Sequence, residues 1–569
     1  STGGSNTAIG GSALGSNTTA SNNTAIGYAA LDANTTGTDN VAIGYLALDA
    51  NTTAANNTAI GTGSLGANTT GTRNSAVGAS ALGLTTTGNY NTSMGYDALG
   101  ANTTASNNTA FGYTALTANT TGTRNVAVGT SAGAAVTTGD YNTFIGTYAG
   151  DATTTADSNT AVGQGALTAN TTGATNTALG ANTLEANTTA ANNTAVGYAA
   201  LNLNTTGTEN VAVGPNALDA CTTGSYNVGM GINALGALTT ASFNTGVGTG
   251  VMSSITTGNH NVGMGYLTLD ANTTGQDNTA IGNYALTANT TGNYNTAVGY
   301  GAAEATTTGA TNTAVGYNSL EANTTGSSNT ALGYNSLATN TSASNNVSVG
   351  ANAMLLNTTG ANNVSMGTTA LRGCTTGGDN VAIGYAAGND TNPTTTGSGN
   401  VLIGAYTRAS ASTNSYSIAI GHNIDSAANQ VSIGRSGNKI YNEFDTDAAW
   451  TQSSDVRLKK NIKDSTLGLN FINDLRPVTY QWKPSNELPE DLSHYNEENE
   501  KTLDVTMTGL IAQEVKEAID KSGVERFGGW DMNNDIQQIK KEMFVFPLIK
   551  AVKELSAKVE ELESKLNGE

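Results

Sequence analysis

The sequence predicts a mostly β chain: a parallel β-solenoid of 17-residue coils, followed by a small α+β domain that ends in a coiled-coil helix. Three observations lead there. An asparagine recurs every 17 residues, at Asn6, Asn23, Asn40 and onward to Asn380, giving 23 anchors in unbroken register. A strict short period means one structural unit stacked on its own copies. The composition, with 70 glycines and only 11% charged residues, suits short strands joined by tight turns. The third observation is a change of composition: residues 1–453 hold 6 Lys+Arg and 20 Asp+Glu, net −14, whereas 454–569 hold 16 and 22, net −6. All three tryptophans, Trp450, Trp482 and Trp530, lie in or beside this last segment, which reads as a separate globular domain.

Each anchor opens a segment close to N-T-A-I-G-Y-x-A-L-x-A-N-T-T-G-x-x, as in Asn23 to Asp39. A Gly/Thr/Asn-rich chain could instead be a low-complexity linker. Such linkers do not keep an Ile, Val, Leu, Met or Phe three residues after every anchor. The bulky positions are anchor+3 (Ile26, Ile43, Ile60, Val77, Met94, Phe111) and anchor+8 (Leu31, Leu48, Leu65, Leu82, Leu99), and both are expected to face inward. Glycine at anchor+4 and the N-T-T-G stretch are expected to supply turns through positive φ. Two large side chains do not hold a coil alone, so stability is expected from stacked neighbours and from several chains sharing one core. At a strand spacing of about 4.8 Å the 23 coils make a rod roughly 110 Å long.

The recurrent Asn side chains are expected to hydrogen-bond along the stack as an amide ladder, with ligand binding as the alternative. N-T-T also fits the N-glycosylation acceptor pattern, a weak match in a chain so rich in both residues. Rows of exposed Thr on a flat face would suit ice binding. A more specific surface candidate is the tyrosine at anchor+5: Tyr28, Tyr45, Tyr96, Tyr113, Tyr198, Tyr266, Tyr300, Tyr317, Tyr334 and Tyr385. Aromatic faces pack on sugar C–H surfaces, which makes these candidate glycan contacts; packing at a coil corner is the other reading. Cys221 and Cys374 both sit at anchor+11, where Asn is usual, nine coils apart. That separation, roughly 40 Å at the strand spacing, rules out a disulfide within one chain; they read as small buried substitutions.

After Asn380 an insertion containing Asn392 and Pro393 delays the next anchor to Asn400. The domains are therefore drawn as a repeat shaft over 1–399, irregular closing coils and connector over 400–453, and the last domain over 454–569. The acidic balance, −20 overall with no basic patch, disfavours nucleic acid as a partner. No stretch of 18 apolar residues exists, so no direct membrane insertion as a helix is expected. Ser1 falls inside a coil, and a further segment or a removed leader is expected before it. The three histidines, His260, His422 and His494, are scattered, and no metal site or cofactor is expected.

The repeats resemble the head of trimeric autotransporter adhesins of the Yersinia type, whose N-S-V-A-I-G coils are close to Asn40-Val41-Ala42-Ile43-Gly44 and Ser417-Ile418-Ala419-Ile420-Gly421. That resemblance covers most of residues 1–434 and implies a parallel β-roll shared among three chains, although a period of 17 is longer than that family's usual coil. Such autotransporters end in a membrane β-barrel. This chain ends in something else: Ser454-Asp455-Val456-Arg457-Leu458-Lys459-Lys460-Asn461-Ile462, then Val478-Thr479-Tyr480-Gln481-Trp482-Lys483, then Gly509-Leu510-Ile511-Ala512-Gln513-Glu514-Val515. These motifs are similar, in order and wording, to the C-terminal intramolecular chaperone of phage endosialidase tail spikes.

The resemblance implies a domain that trimerises, guides folding of the fibre ahead of it and then releases itself by autoproteolysis through a serine and a lysine. Ser454 and Lys459 match those two positions. A serine hydroxyl is a poor nucleophile until a base takes its proton, and a lysine serves as base only when burial lowers its pKa. Ser454 Oγ is expected to attack the Ser453 carbonyl, giving an ester that water resolves, a single-turnover serine/lysine endopeptidase with no turnover on other substrates. A helix over 543–567 carries Leu548, Val552, Leu555, Val559, Leu562 and Leu566 at 4-3-4-3-4 spacing, a coiled-coil seam. Val at a with Leu at d leans by itself towards two strands, so the trimer comes from the resemblance. The alternative is an amphipathic helix packed on its own domain. Together these features predict a homotrimeric extracellular fibre, a phage tail fibre or cell-surface adhesin, that attaches to a cell-surface receptor, with a glycan as the candidate ligand. An ice-binding solenoid and a purely structural filament are the alternatives.

Overall fold

The computed structural model describes residues 2–389, 393–444, 451–452, 456–490, 492, 495, 505–533 and 536–568. The chain forms two compact units, Ser1–Ser453 and Ser454–Glu569.

The first unit is a parallel β-solenoid. Twenty-four strands of three residues, β1 (Thr7–Ile9) to β24 (Val401–Ile403), each begin one residue after an anchor. Neighbours pair in parallel with a 17-residue offset, as Thr24↔Val41, Ala25↔Ala42 and Ile26↔Ile43. The step from β23 (Val381–Ile383) to β24 is 20 residues. Of the insertion that lengthens it, Asp390, Thr391 and Asn392 lie outside the described residues. Stacking continues through β26 (Ile418–His422) and β28 (Gln430–Arg435), while β25 (Arg408–Ala409) and β27 (Asp425–Ser426) pair separately. Two antiparallel strands, β29 (Asn438–Glu443) and β30 (Thr451–Gln452), finish the sheet.

The inward positions are not those expected. Anchor+8 is inside, with Leu31, Leu48, Leu65, Leu82 and Leu99 fully buried, but its partner is anchor+2, where Ala25, Ala42, Ala59 and Ala76 are fully buried as well. The anchor+3 residues point out: Ile60 is 36% and Met94 48% exposed. Alternation along a three-residue strand is the reason, because one central side chain faces the core and the two flanking ones face away. The inward slot is narrow, so it takes Ala, Ser or Gly opposite Leu. The core is also complete within one chain, rather than shared as expected, because each Leu is enclosed by the inner residues of its own and adjacent coils.

Two substitutions of size test that fit. Phe144 occupies an inward slot, fully buried, and glycines replace Leu at anchor+8 on both sides of it. A Cβ would come within 2.7 Å of its ring at Gly133 and 2.3 Å at Gly150. Conversely, Gly246 and Gly263 face the larger Val251 and Met252. Large and small residues thus trade places between the inward positions of neighbouring layers.

Buried asparagines supply the polar framework as two amide ladders. At the anchor, Asn23 Oδ1 accepts from the Asn40 backbone N–H at 3.0 Å, and Asn40 Nδ2 donates to Ala54 O at 2.9 Å. At anchor+11, Asn51 Nδ2 donates to Asn34 Oδ1 at 2.9 Å and to Ala54 O at 3.1 Å. These bonds hold turn carbonyls that would otherwise be buried without partners. Cys221 and Cys374 replace rungs of the second ladder, their thiols donating to Gly224 O at 3.5 Å and Gly377 O at 3.3 Å.

The turns differ from expectation in one respect. Glycine at anchor+4 does sit at positive φ, +139° at Gly44, where a Cβ would lie 2.5 Å from the Gly61 carbonyl oxygen of the next coil. The N-T-T-G glycine does not: Gly37 lies outside the left-handed region, and alanine fills the same position in other coils, as at Ala54 and Ala105. The other corners are made by non-glycine residues at anchor+6, +8 and +16, as at Ala29 (φ 54°), Leu31 (φ 52°) and Asp39 (φ 59°). A left-handed residue costs about 1–2 kcal/mol. That cost is offset by bonds between coils, such as Leu31 N–H to Ala47 O at 3.0 Å.

The second unit contains α1 (Leu469–Asp474), β31 (Val478–Tyr480), β32 (Met507–Gly509), α2 (Ala512–Lys521), β33 (Trp530–Asn533), β34 (Ile536–Ile539) and α3 (Val545–Asn567). Leu467, Phe471, Val515, Ala518 and Ile519 form its core, with Phe527, Trp530 and Phe544 packed against it. The final helix begins at Val545 rather than 543, because Lys541–Phe544 form a 3-10 turn ahead of it.

Candidate functional site

The three C-terminal motifs fall on distinct elements. Val456–Leu458 form a 3-10 turn whose Val456 carbonyl accepts from Lys459 N–H at 3.1 Å, and the Lys459 side chain is exposed in the single chain. Ser453 and Ser454 lie outside the described residues, as do Trp450 and His494. The second and third motifs are brought together by the β31–β32 ladder, with Val478 opposite Gly509 and Tyr480 opposite Met507. Gly509 leaves room for Tyr480, since a Cβ there would lie 3.1 Å from the ring.

Ion pairs fasten the helices of this unit. Arg476 grips Glu514 of α2 through two hydrogen bonds, and this bonding holds the Glu514 carboxyl below the ordinary carboxylate range. Lys521 pairs with Asp474 at 2.6 Å. Glu554 of α3 accepts the Leu469 backbone N–H at 2.6 Å and pairs with Lys550 at 3.0 Å, which lowers its pKa, the backbone bond contributing most. Glu554 thus satisfies a free donor at the start of α1. Sequence reasoning missed it because the contact spans 85 residues.

The α3 seam does not pack on its own unit. Pro547 and Ala551 face inward, whereas Leu548, Val552, Leu555, Val559, Leu562 and Leu566 are all exposed. A helix that leaves its most regular apolar stripe in water has the surface of an unassembled coiled coil.

On the solenoid, Tyr28, Tyr45, Tyr96, Tyr113, Tyr198, Tyr266, Tyr300, Tyr317, Tyr334 and Tyr385 are all exposed. Where they occupy consecutive coils they stack on one another: Tyr28 on Tyr45 at 5.6 Å, Tyr96 on Tyr113 at 5.4 Å, and Tyr300 on Tyr317 on Tyr334 at 5.3 and 5.5 Å. Ring faces inside a stack are therefore occupied by other rings, and such a column offers edges and hydroxyls. A second aromatic rank lies at anchor+16, where Tyr226, Phe243 and His260 stack at 4.9 and 5.2 Å. It escaped sequence reading because its residue type changes from coil to coil.

The paired threonines divide in two. Thr35 and its equivalents are half-buried and donate their hydroxyls to the next coil's carbonyl, Thr35 Oγ1 to Thr52 O at 3.1 Å. Thr36 and its equivalents are exposed. Among the described residues no cluster of metal ligands occurs and no helix is long and apolar enough to cross a membrane.

No curated protein and no solved structure matches the chain. A family model does: residues 454–524 match the chaperone of endosialidase, a peptidase family whose domain implies an intramolecular chaperone with autoproteolysis, and that domain behind a long β-solenoid fits a tail-spike-like fibre.

Proposed function

We propose that the chain is a homotrimeric attachment fibre, on a virion tail or a cell surface, whose last domain aligns three copies and then cuts itself free. The match of residues 454–524 to the chaperone family, directly behind the coils, carries this reading. Stacking near-identical coils offers many wrong registers, and joining three chain ends first removes most of them. The exposed α3 seam supplies the joining surface.

In the proposed reaction Lys459 takes the proton of Ser454 Oγ, which attacks the Ser453 carbonyl. The resulting ester is hydrolysed by water, separating 1–453 from 454–569. Lys459 is exposed in the single chain, so the reaction waits for assembly to take this side chain out of water. Cleavage then reports correct trimerisation. The exposed tyrosine ranks are the proposed contacts to a receptor glycan, through hydroxyls and the uncovered outer faces of each stack. Ice binding is the weaker reading, because half of the paired Thr hydroxyls are spent on carbonyls.

Intact and native mass of the wild-type chain, of Ser454→Ala and of Lys459→Met test the reading. A trimer of 1–453 with a released fragment, and uncut trimers of both variants, are expected. A split that persists in Ser454→Ala refutes the nucleophile assignment, and a wild-type monomer refutes the fibre.

A further inference from the structure

The helix α3 packs on its own unit only at its start. Pro547, Lys550, Ala551 and Glu554 share one face of it, Pro547 and Ala551 buried and the other two half-buried. From Leu555 to Gly568 every residue is exposed. Glu554 therefore marks the point where the helix parts from the body, directly before Leu555 of the exposed seam.

At that point Glu554 holds the start of α1. Its Oε2 accepts the Leu469 N–H at 2.6 Å, and Lys550, one turn earlier on α3, steadies the carboxylate at 3.0 Å. Gly468, ahead of α1, has no side chain with which to cap it, so the capping group comes from α3 instead. The fit is close: a Cβ on Gly468 would lie 2.6 Å from Glu554 Oε1 and nearer still to Oε2. A carboxylate bonded to a backbone N–H is among the stronger hydrogen bonds.

What this bond fixes is the root of the segment that carries Lys459. Asn461 to Thr466 are exposed, and the first buried residues after them are Leu467 and Gly468. Lys459 stands nine residues ahead of Gly468. The arm thus leaves the unit beside Glu554, and without the cap the first turn of α1 frays and adds its own residues to the arm.

Resting on the reading of a self-cleaving trimer, we infer that Glu554 is a positioning residue for the cleavage: it ties the root of the Lys459 arm to the helix whose place assembly fixes. When the seams meet, α3 takes one orientation, and the bond from Glu554 to Leu469 passes that orientation to Gly468 and the arm. Glu554 acts through the arm rather than on the reacting atoms. It narrows the positions that Lys459 reaches, and misplacement of a reacting group by about 1 Å costs about a hundredfold in rate.

Full-length chains made by cell-free synthesis test this, with trimers identified by native mass and release of the 454–569 fragment timed within them. Glu554→Ala trimers are expected to form as wild type does and to be cut at least about tenfold more slowly. Glu554→Gln keeps an acceptor at the same reach and is expected within about threefold of wild type. Gln would not rescue a role confined to the ion pair with Lys550. Glu563→Ala, exposed on the projecting part of the helix, is expected to cut as wild type does. If Glu554→Ala yields no trimer, Glu554→Asp decides, because it keeps the charge but falls one methylene short of Leu469; it is expected to assemble and be cut slowly. A Glu554→Ala trimer, or in its absence a Glu554→Asp trimer, cut at the wild-type rate overturns the proposal. So does a Glu554→Gln trimer as slow as Glu554→Ala, and so does loss of the trimer in both the Ala and the Asp variant, which assigns Glu554 to assembly itself. Wild-type trimers that are never cut overturn the self-cleavage reading, and this proposal with it.

Discussion

Phe144 gives the sharpest test of how this solenoid is packed. In a coil built to hold Ala opposite Leu, a phenylalanine fits because Gly133 and Gly150 each give up a whole Leu side chain. Truncating it to Ala in place removes a fully buried ring and leaves a cavity across two layers, costing about 3–5 kcal/mol. Restoring the common pattern with Phe144→Ala, Gly133→Leu and Gly150→Leu should recover most of that loss. The backbone permits it: Gly133 and Gly150 sit at φ 58° and 59°, beside φ 52° at Leu116, which fills the same position one coil earlier. Leu at Gly150 without the Phe144 change should be worse than either, because the new Cβ starts 2.3 Å from the ring. Solenoids unfold by groups of coils rather than as one unit, so amide exchange of residues 125–160 is the assay, read against coils beyond residue 250. Phe144→Ala should raise local exchange by two to three orders of magnitude at about 1.4 kcal/mol per decade, and the triple variant should return it to near wild type. Equal exchange in the single and triple variants would refute volume compensation.

Other expectations concern polar groups. Asn193→Ala removes a donor to Gly207 O and an acceptor for Asn210 N–H, both buried; at about 1–3 kcal/mol per orphaned group, local exchange should rise as much as for a core truncation, and an effect below tenfold would contradict a structural ladder. Burial pushes the thiols of Cys221 and Cys374 up to about 12 and about 11, so neither should react with iodoacetamide at pH 8 until the coils are unfolded. The two units should respond oppositely to acid. The Arg476 partner lowers the Glu514 carboxyl, so the stability it gives is present above the usual carboxylate pKa and is lost as pH falls through the lowered value. Burial raises Asp49, Asp151 and Asp219; the folded rod then holds protons that the unfolded chain releases, and its stability rises as pH drops through their range. Amide exchange followed in each unit from pH 7 to pH 3.5 should show the 454–569 unit loosening first, and parallel loosening of both would contradict the assignment.

Period, register and the division of the chain near residue 453 were legible in the amino acids, because stacking identical coils forces identical residues into the same place at each turn. So were the amide ladder, the buried cysteines and the helix seam, whose spacing alone exposes a stripe. Facing was not legible. Ile26 and Leu31 are equally apolar, and only the path of the backbone decides that a three-residue strand turns Ala25 inward and Ile26 outward. The compensation of Phe144 by Gly133 and Gly150 was hidden for the same reason: the three residues are adjacent only once coils stack. The reach of Glu554 to Leu469 also needed the tertiary structure, since a hydrogen bond across 85 residues leaves no periodic trace. Sequence determines what repeats, since repetition is a property of the chain itself, whereas the inside of a coil exists only after the chain has closed upon it.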